Sequence, residues 1–299
     1  MYYKSKEEVS VFYDGKITVC SNGHVRAKKY RKPMEKIKNG YESVELKKPP
    51  LKSPKGLKSE PKEKVIDRWS LTRTRDKLIA YASENESLWK SFVTLTFREN
   101  ITDLTEANRL FKIYIMQLKR MNPDFAYLCV PEFQKRGAVH YHMLTSLECG
   151  KDIPAREPIN TWNPEHKKNY TLYFYDLPFW NHGFSSAEDL KAFDDKFNCA
   201  LYIMKYLFKD IDNRLWGRKK ILKSNNLKSP ETYYLNSETF NQAMEYIKQK
   251  GYQVNVYDFE PLERFQIPST IYSVKDKLSQ ADCNMITGRL SKEYHQAED

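Results

Sequence analysis

The stretch from Phe92 to Leu144 constrains the fold more than any other part of the chain. Phe92 to Phe97 alternates apolar and polar residues, as a half-buried strand does. Leu104 to Met121 carries Leu104, Ala107, Leu110, Phe111, Tyr114 and Leu118 at helical spacing. Two apolar runs follow, Phe125 to Pro131 and Ala138 to Leu144, separated by a Gln134-Lys-Arg-Gly137 segment that suits a hairpin turn. This β-α-β-β order predicts an α+β fold with helices packed on a central antiparallel sheet.

In the last of these runs, His140-Tyr141-His142 places both imidazoles on one face of a strand. A hairpin over residues 134–137 returns Glu132 towards them, which predicts a metal site of Glu132, His140 and His142. Taken alone, a His-x-His pair describes a solvent-facing strand equally well, and the aim of Glu132 depends on strand register. Ligand chemistry leaves the metal open, since two His and one Glu also suit catalytic zinc. Thr94 and Thr96 share the polar face of the first strand, where they are expected to give structural support.

Residues 202–209 read Tyr-Ile-Met-Lys-Tyr-Leu-Phe-Lys, so a helix there puts Tyr202, Lys205, Tyr206 and Lys209 on one stripe. Leu201, Met204, Leu207 and Phe208 form the opposite, docking side. A phenol is a poor nucleophile near neutral pH, and the two lysines are placed to favour its phenolate.

These motifs, in this order, resemble the HUH endonucleases of the rolling-circle replication initiator group. Phe92 to Phe97 resembles the family's first strand motif, Glu132 with His140-Tyr141-His142 its metal motif, and Tyr202-x-x-Lys205-Tyr206-x-x-Lys209 its nucleophile helix. The similarity spans about residues 70–235, including Phe179-Trp-Asn-His-Gly183 and Ser224 to Pro230. It implies a ferredoxin/RRM-like HUH fold, Mg²⁺ or Mn²⁺ as cofactor, and Tyr202, Tyr206, Lys205 and Lys209 as catalytic residues. It also implies nicking and rejoining of single-stranded or hairpin origin DNA through a 5′-phosphotyrosine intermediate, on a plasmid, phage or related element. Relaxases place the tyrosine before the His motif, which separates them from this chain. Alternatives are a single-strand transposase or relaxase on the same scaffold, a non-catalytic DNA-binding control protein, and a zinc hydrolase of small substrates. The last explains neither the tyrosines nor the charge.

Fifty Lys and Arg against thirty-nine Asp and Glu give +11, which favours polyanionic partners. Arg73, Arg75, Lys135, Arg136, Arg214, Arg218, Lys219 and Lys220 are the dispersed candidates for phosphate contacts, and Trp162 and Trp180 are candidates for base stacking or for core packing. Five scattered cysteines without Cys-x-x-Cys spacing suggest reduced thiols and no zinc ribbon. No apolar run proposes a membrane span, so a cytoplasmic protein is expected. No phosphate-cradling ATPase loop occurs, so strand separation is assigned to a host helicase and extension to a DNA polymerase.

Three regions are expected. Residues 1–64 form an extension with short β-like runs around a Ser21-Asn-Gly23 turn and a basic Pro/Lys linker. Residues 65–235 form the endonuclease domain, with an irregular insertion at 146–182 and one or two helices from Ser186 to Phe208. Residues 236–299 form an accessory region containing a helix from Ser237 and a strand from Tyr252.

Overall fold

The computed structural model of the chain describes residues 3–5, 9–38, 41–43, 68–155, 159–163, 168–172, 175–192, 199–200, 202–203, 213–215, 218–259 and 269–296. They fall into two compact units, Val65–Ser229 and a second that joins Met1–Lys64 to Pro230–Asp299. The Pro/Lys-rich segment Lys47 to Glu63 lies outside the described residues.

The 65–229 unit begins with α1 (Arg68–Glu84) and the strand β5 (Ser91–Thr96), and continues through α2 (Leu104–Met121), β6 (Tyr127–Phe133) and β7 (Val139–Thr145). Asp103 starts α2 by accepting hydrogen bonds from the backbone N–H of Thr105 at 3.0 Å and Glu106 at 3.4 Å. β10 (Ser185–Asp189) and β11 (Leu222–Lys223) complete a five-stranded antiparallel sheet in the order β10-β5-β7-β6-β11. β7 therefore lies between β5 and β6, giving the split β-α-β of a ferredoxin-like arrangement.

Strand alternation divides the core into two layers. Val93, Leu95, Cys129, Tyr141 and Met143 face α2 through Ala107, Phe111, Tyr114 and Leu118. Phe92, Leu128, Val130 and Leu144 face α1 and the helical residues Ala200 and Ile203, through Leu78, Ile79 and Ala82. His140, His142 and Glu132 share the phase of this second face. A strand slip of one residue would turn them into the α2 core.

Two expectations for this unit need correction. The 146–182 segment contains a hairpin, β8 (Ile159–Asn163) with β9 (Lys168–Leu172). The segment after Gly183 opens as the strand β10, with no helix at Ser186. Its Ser185-Ser-Ala-Glu-Asp sequence lacks the β-branched alternation of a strand, and the ladder from Leu95–Ser185 to Ser91–Asp189 imposes the conformation.

The second unit is built on β2 (Val9–Val19), β3 (Val25–Lys38), β12 (Glu231–Leu235), β13 (Val254–Phe259) and β14 (Ser269–Val274), in the order β12-β2-β3-β14-β13. The Cys20–His24 turn joins β2 to β3, and a short ladder pairs β1 (Tyr3–Ser5) with β4 (Tyr41–Ser43). The two ends of the chain are thus one folding unit, with β12 on β2 and β14 on β3. Residues 231–235, grouped by sequence with the endonuclease domain, pair with this sheet instead. Helices α3 (Ser237–Gln249) and α4 (Gln280–Gln296) close its core through Phe240, Ile247, Ile286 and Leu290, packed near Ile17 and Ala27. Among the described residues, no helix is long and apolar enough to cross a membrane.

Asp282 ties this unit together. Its carboxylate accepts hydrogen bonds from Tyr246 and Tyr252 at 2.8 Å each and from Ser279 Oγ at 2.6 Å, at the start of α4. The bonds from Ser279, Tyr252 and Tyr246 lower its pKa from 3.8 to about 2. A depressed carboxylate pKa adds stability that is fully present above its ordinary value and lost as the pH falls through the folded value. Wild type is therefore expected to lose this contribution as pH falls from 3.8 towards about 2. Asp282→Asn should melt at lower temperature at neutral pH and show a flatter acid limb, as read by circular dichroism melts across that range.

Candidate metal centre

The hairpin β6–β7 sets the site. Its ladder pairs Glu132 with His140 and Val130 with His142, while β5 places Thr96 opposite His140 and Thr94 opposite His142. The turn is closed by Gly137, whose φ of 88° lies in the left-handed region that glycine tolerates. Arg214 donates to the Gly137 carbonyl at 3.0 Å and stacks on Phe133 with its guanidinium 3.7 Å from the ring centroid. Arg136 donates to the Phe97 carbonyl at 2.7 Å and to Gln134 Oε1 at 2.9 Å. These contacts fasten the turn to the end of β5, directly beside Glu132 and His140.

The ligand atoms of Glu132, His140 and His142 lie within 4.8 Å of one another. Glu132 Oε2 stands 2.5 Å from His142 Nε2, with both side chains buried. A carboxylate oxygen and an imidazole nitrogen this close require a proton or a cation between them. Thr94 Oγ1 sits 3.2 Å from His142 Nδ1 and fixes the ring from behind. Its acceptance of an Nδ1–H would leave Nε2 as the ligand atom, an outer contact that orients metal-binding histidines. Three convergent donors, an oriented ring and a burial that excludes bulk water fit a divalent cation.

Aromatic packing extends the site along the same face. The Phe92 ring stacks with His142 at 6.0 Å, and Tyr202 meets Phe92 edge-on at 4.6 Å. Tyr202 is helical, and its hydroxyl donates to Glu188 Oε2 at 3.0 Å. Glu188 is the β10 partner of Phe92, on the side of β5 away from β7. The phenol is thereby held over the edge of the sheet, one residue row from His142. Glu188 carries no legible signal in the sequence: it is one acidic residue on a polar edge strand that only the ladder defines. Lys205, Tyr206 and Lys209 lie outside the described residues.

The Phe179 to Gly183 loop also abuts this end of the sheet. Trp180 Nε1 donates to the Thr96 carbonyl at 3.1 Å, and Arg98 N–H donates to the His182 carbonyl at 2.9 Å. Trp180 is buried against Phe97 and Tyr114, so of its two expected roles the structure gives core packing, while Trp162 is exposed. A Cβ at Gly183 would lie 2.2 Å from the Thr96 carbonyl oxygen, which only glycine avoids.

The expected phosphate-binding cations divide into groups. Lys135 and Arg136 sit at the hairpin turn, with Arg136 committed to it, and Arg75 Nε is 3.6 Å from Asp76 Oδ1. Arg218 and Lys219 are exposed, whereas Lys220 is buried. Arg73, Lys219 and Lys220 line one groove, together with Lys77 and Lys223, which nothing in the sequence distinguishes from other surface lysines.

Mn²⁺ at about 100 times its Kd should stabilise wild type by about 2.7 kcal/mol, a shift that chelator reverses and that Glu132→Gln and His142→Asn abolish in thermal melts. Gly183→Ala should lower the melting temperature of the 65–229 unit through its clash with Thr96.

Comparison with known proteins agrees with this geometry. The family model for the replication-associated protein ORF2 matches residues 90–211, which include β5, the metal triad and Tyr202. The chain is 31% identical over 131 residues to the Phasyl DNA replicon protein arp of Escherichia coli, covering 41% of this chain and 44% of that relative. The chain thus spans less than half the length of the curated relative it matches. No solved structure matches. These similarities support a replication initiator.

Proposed function

We propose that this chain is an HUH endonuclease that initiates rolling-circle replication of a plasmid, phage or related element, by nicking and rejoining single-stranded origin DNA. The observation that carries the reading is the convergence of Glu132, His140 and His142 on the sheet face that also carries Phe92 and Tyr202. The match over residues 90–211 supports it, because it covers the same elements.

In this reading a tyrosine oxygen attacks the scissile phosphorus in line. The bond from phosphorus to the 3′ oxygen breaks, and the 5′ phosphate stays on the enzyme as a phosphotyrosine. The released 3′ hydroxyl then serves a DNA polymerase, with strand separation supplied by a host helicase. Reversal by a 3′ hydroxyl rejoins the strand without ATP, because the ester bond is conserved. Mg²⁺ or Mn²⁺ held by the three donors would neutralise charge developing on the non-bridging phosphate oxygens. Thr94 keeps His142 oriented, and the buried surroundings strengthen every charge interaction at the site.

Tyr202 and Tyr206 are the nucleophiles of this reading, assisted by Lys205 and Lys209. The Glu188 contact supports a division of labour. It gives the Tyr202 phenol a proton acceptor within reach, yet it also holds that phenol over β10 until a substrate displaces it. Tyr206 is accordingly assigned the first attack and Tyr202 the second. The protein acts in the cytoplasm, where its helicase and polymerase partners are found.

The test is formation of a denaturation-resistant adduct between the full chain and labelled single strands of its own replicon in Mn²⁺. Wild type and Tyr202→Phe should form the first adduct, and Tyr206→Phe should lose it by at least about 100-fold, a typical scale for removing a reacting group. Glu132→Gln should bind DNA without forming the adduct. Binding by wild type with neither adduct nor nick would reduce the protein to a DNA-binding control protein.

A further inference from the structure

A second phosphate-binding element lies at the far end of β6 from Glu132. Edge strand β11 pairs with β6 at Cys129 and Leu128, and beside it is an open groove of about 620 Å³. Arg73 and Lys77 reach it from α1, Tyr127 from the start of β6, and Lys219, Lys220 and Lys223 from the segment that forms β11. Among the described residues, five cations line the groove and no carboxylate does.

Lys220 is the informative member. Its side chain is only 8% exposed, and among the described residues no carboxylate lies within ion-pair distance of it. Desolvation lowers its pKa, which expresses the cost of burying an ammonium without a counter-ion. Lys223 and Lys77 are held against one aromatic ring, with their Nζ atoms 4.6 and 6.0 Å from the Tyr81 centroid. Tyr81 is itself anchored by a 3.0 Å hydrogen bond to Ser229. Burial raises the pKa of Tyr127 to about 12, so its phenol remains a neutral hydrogen-bond donor. A buried cation without a counter-ion, set among fixed cations, needs an anion from outside.

A free anion would satisfy one or two of these groups, whereas a phosphodiester chain presents a charge to each in turn. The groove has the volume of a ligand cleft, which takes one strand's backbone and not the body of a duplex. Lys223 pairs with Leu128, which shares the sheet phase of Glu132, so groove and metal centre open on the same face. Tyr127 and Glu132 are five positions apart on β6, about 17 Å at roughly 3.3 Å per residue.

We propose that the groove of Arg73, Lys77, Lys219, Lys220 and Lys223 grips the backbone of single-stranded DNA whose scissile phosphate lies at the metal centre. The identity of the polyanion rests on the function proposed above, and the grip itself on the groove. It acts without metal, holds the strand in register, and retains it between cleavage and rejoining.

Fluorescence anisotropy of labelled oligodeoxythymidylate with the full chain, in EDTA across a KCl series, tests this. The slope of log affinity against log salt should become shallower by about 0.7 for Lys219→Gln and by about 2 for the Lys219→Gln/Lys220→Gln/Lys223→Gln triple variant. Lys219 is exposed, so its substitution leaves folding out of the comparison. Lys112→Gln, on the exposed side of α2, should leave the slope unchanged. At low salt and saturating DNA the triple variant should still form the Mn²⁺-dependent adduct, which separates the grip from the chemistry. Unchanged slopes in the lysine variants, an equal change for Lys112→Gln, or stronger loss of duplex than of single-strand binding would overturn the proposal.

Discussion

The contact between Glu132 and His142 is the constraint on which the rest of the 65–229 unit depends. A buried carboxylate and a buried imidazole at 2.5 Å are tolerated only if register, turn and packing all hold them there. β7 meets this requirement because it lies inside the sheet, with β5 and β6 fixing its phase from both sides. The neighbouring apolar layer of Phe92, Leu128, Val130 and Leu144 excludes water from the same face. Loss of either member would leave an uncompensated buried polar group, a defect of about 3–5 kcal/mol for a charged pair.

The surrounding loops serve the same end of the sheet. Arg214, Arg136, Trp180 and the backbone of His182 each donate to, or accept from, the hairpin turn or the end of β5. Several of these groups read from sequence as free cations or as base-stacking aromatics. Their role here is to keep the three donors convergent before any ligand arrives, which is the condition for electrostatic catalysis without reorganisation. Positive charge for a long substrate is found instead at the β11 edge. Charge that binds the strand and donors that bind the metal are thereby separated along one strand of the sheet.

The central part of this fold was legible because its signals are local and agree with one another. The period-2 pattern of Ala138 to Leu144, the helical spacing from Leu104 to Met121 and the Gln134–Gly137 turn each point to the element observed. The metal triad followed from the hairpin alone. β10 was not legible, because an edge strand of Ser, Ala, Glu and Asp owes its conformation to β5; Glu188 was hidden with it. The second unit was obscured for another reason. Its sheet joins β2 and β3 to β12 and β14 across most of the chain, with Val19 paired to Glu231, and no local pattern records such a pairing. Lys220 read as one more surface charge, since burial of a lysine is set by tertiary packing.

The most direct test of this account is the position of a metal ion, measured by anomalous diffraction at the manganese edge from crystals of the full chain grown with Mn²⁺. The account predicts one strong peak bounded by Glu132, His140 and His142, with the Glu132–His142 contact opened to admit it. A chain saturated with Mn²⁺ elsewhere, while Glu132 and His142 remained in direct hydrogen bond, would contradict it.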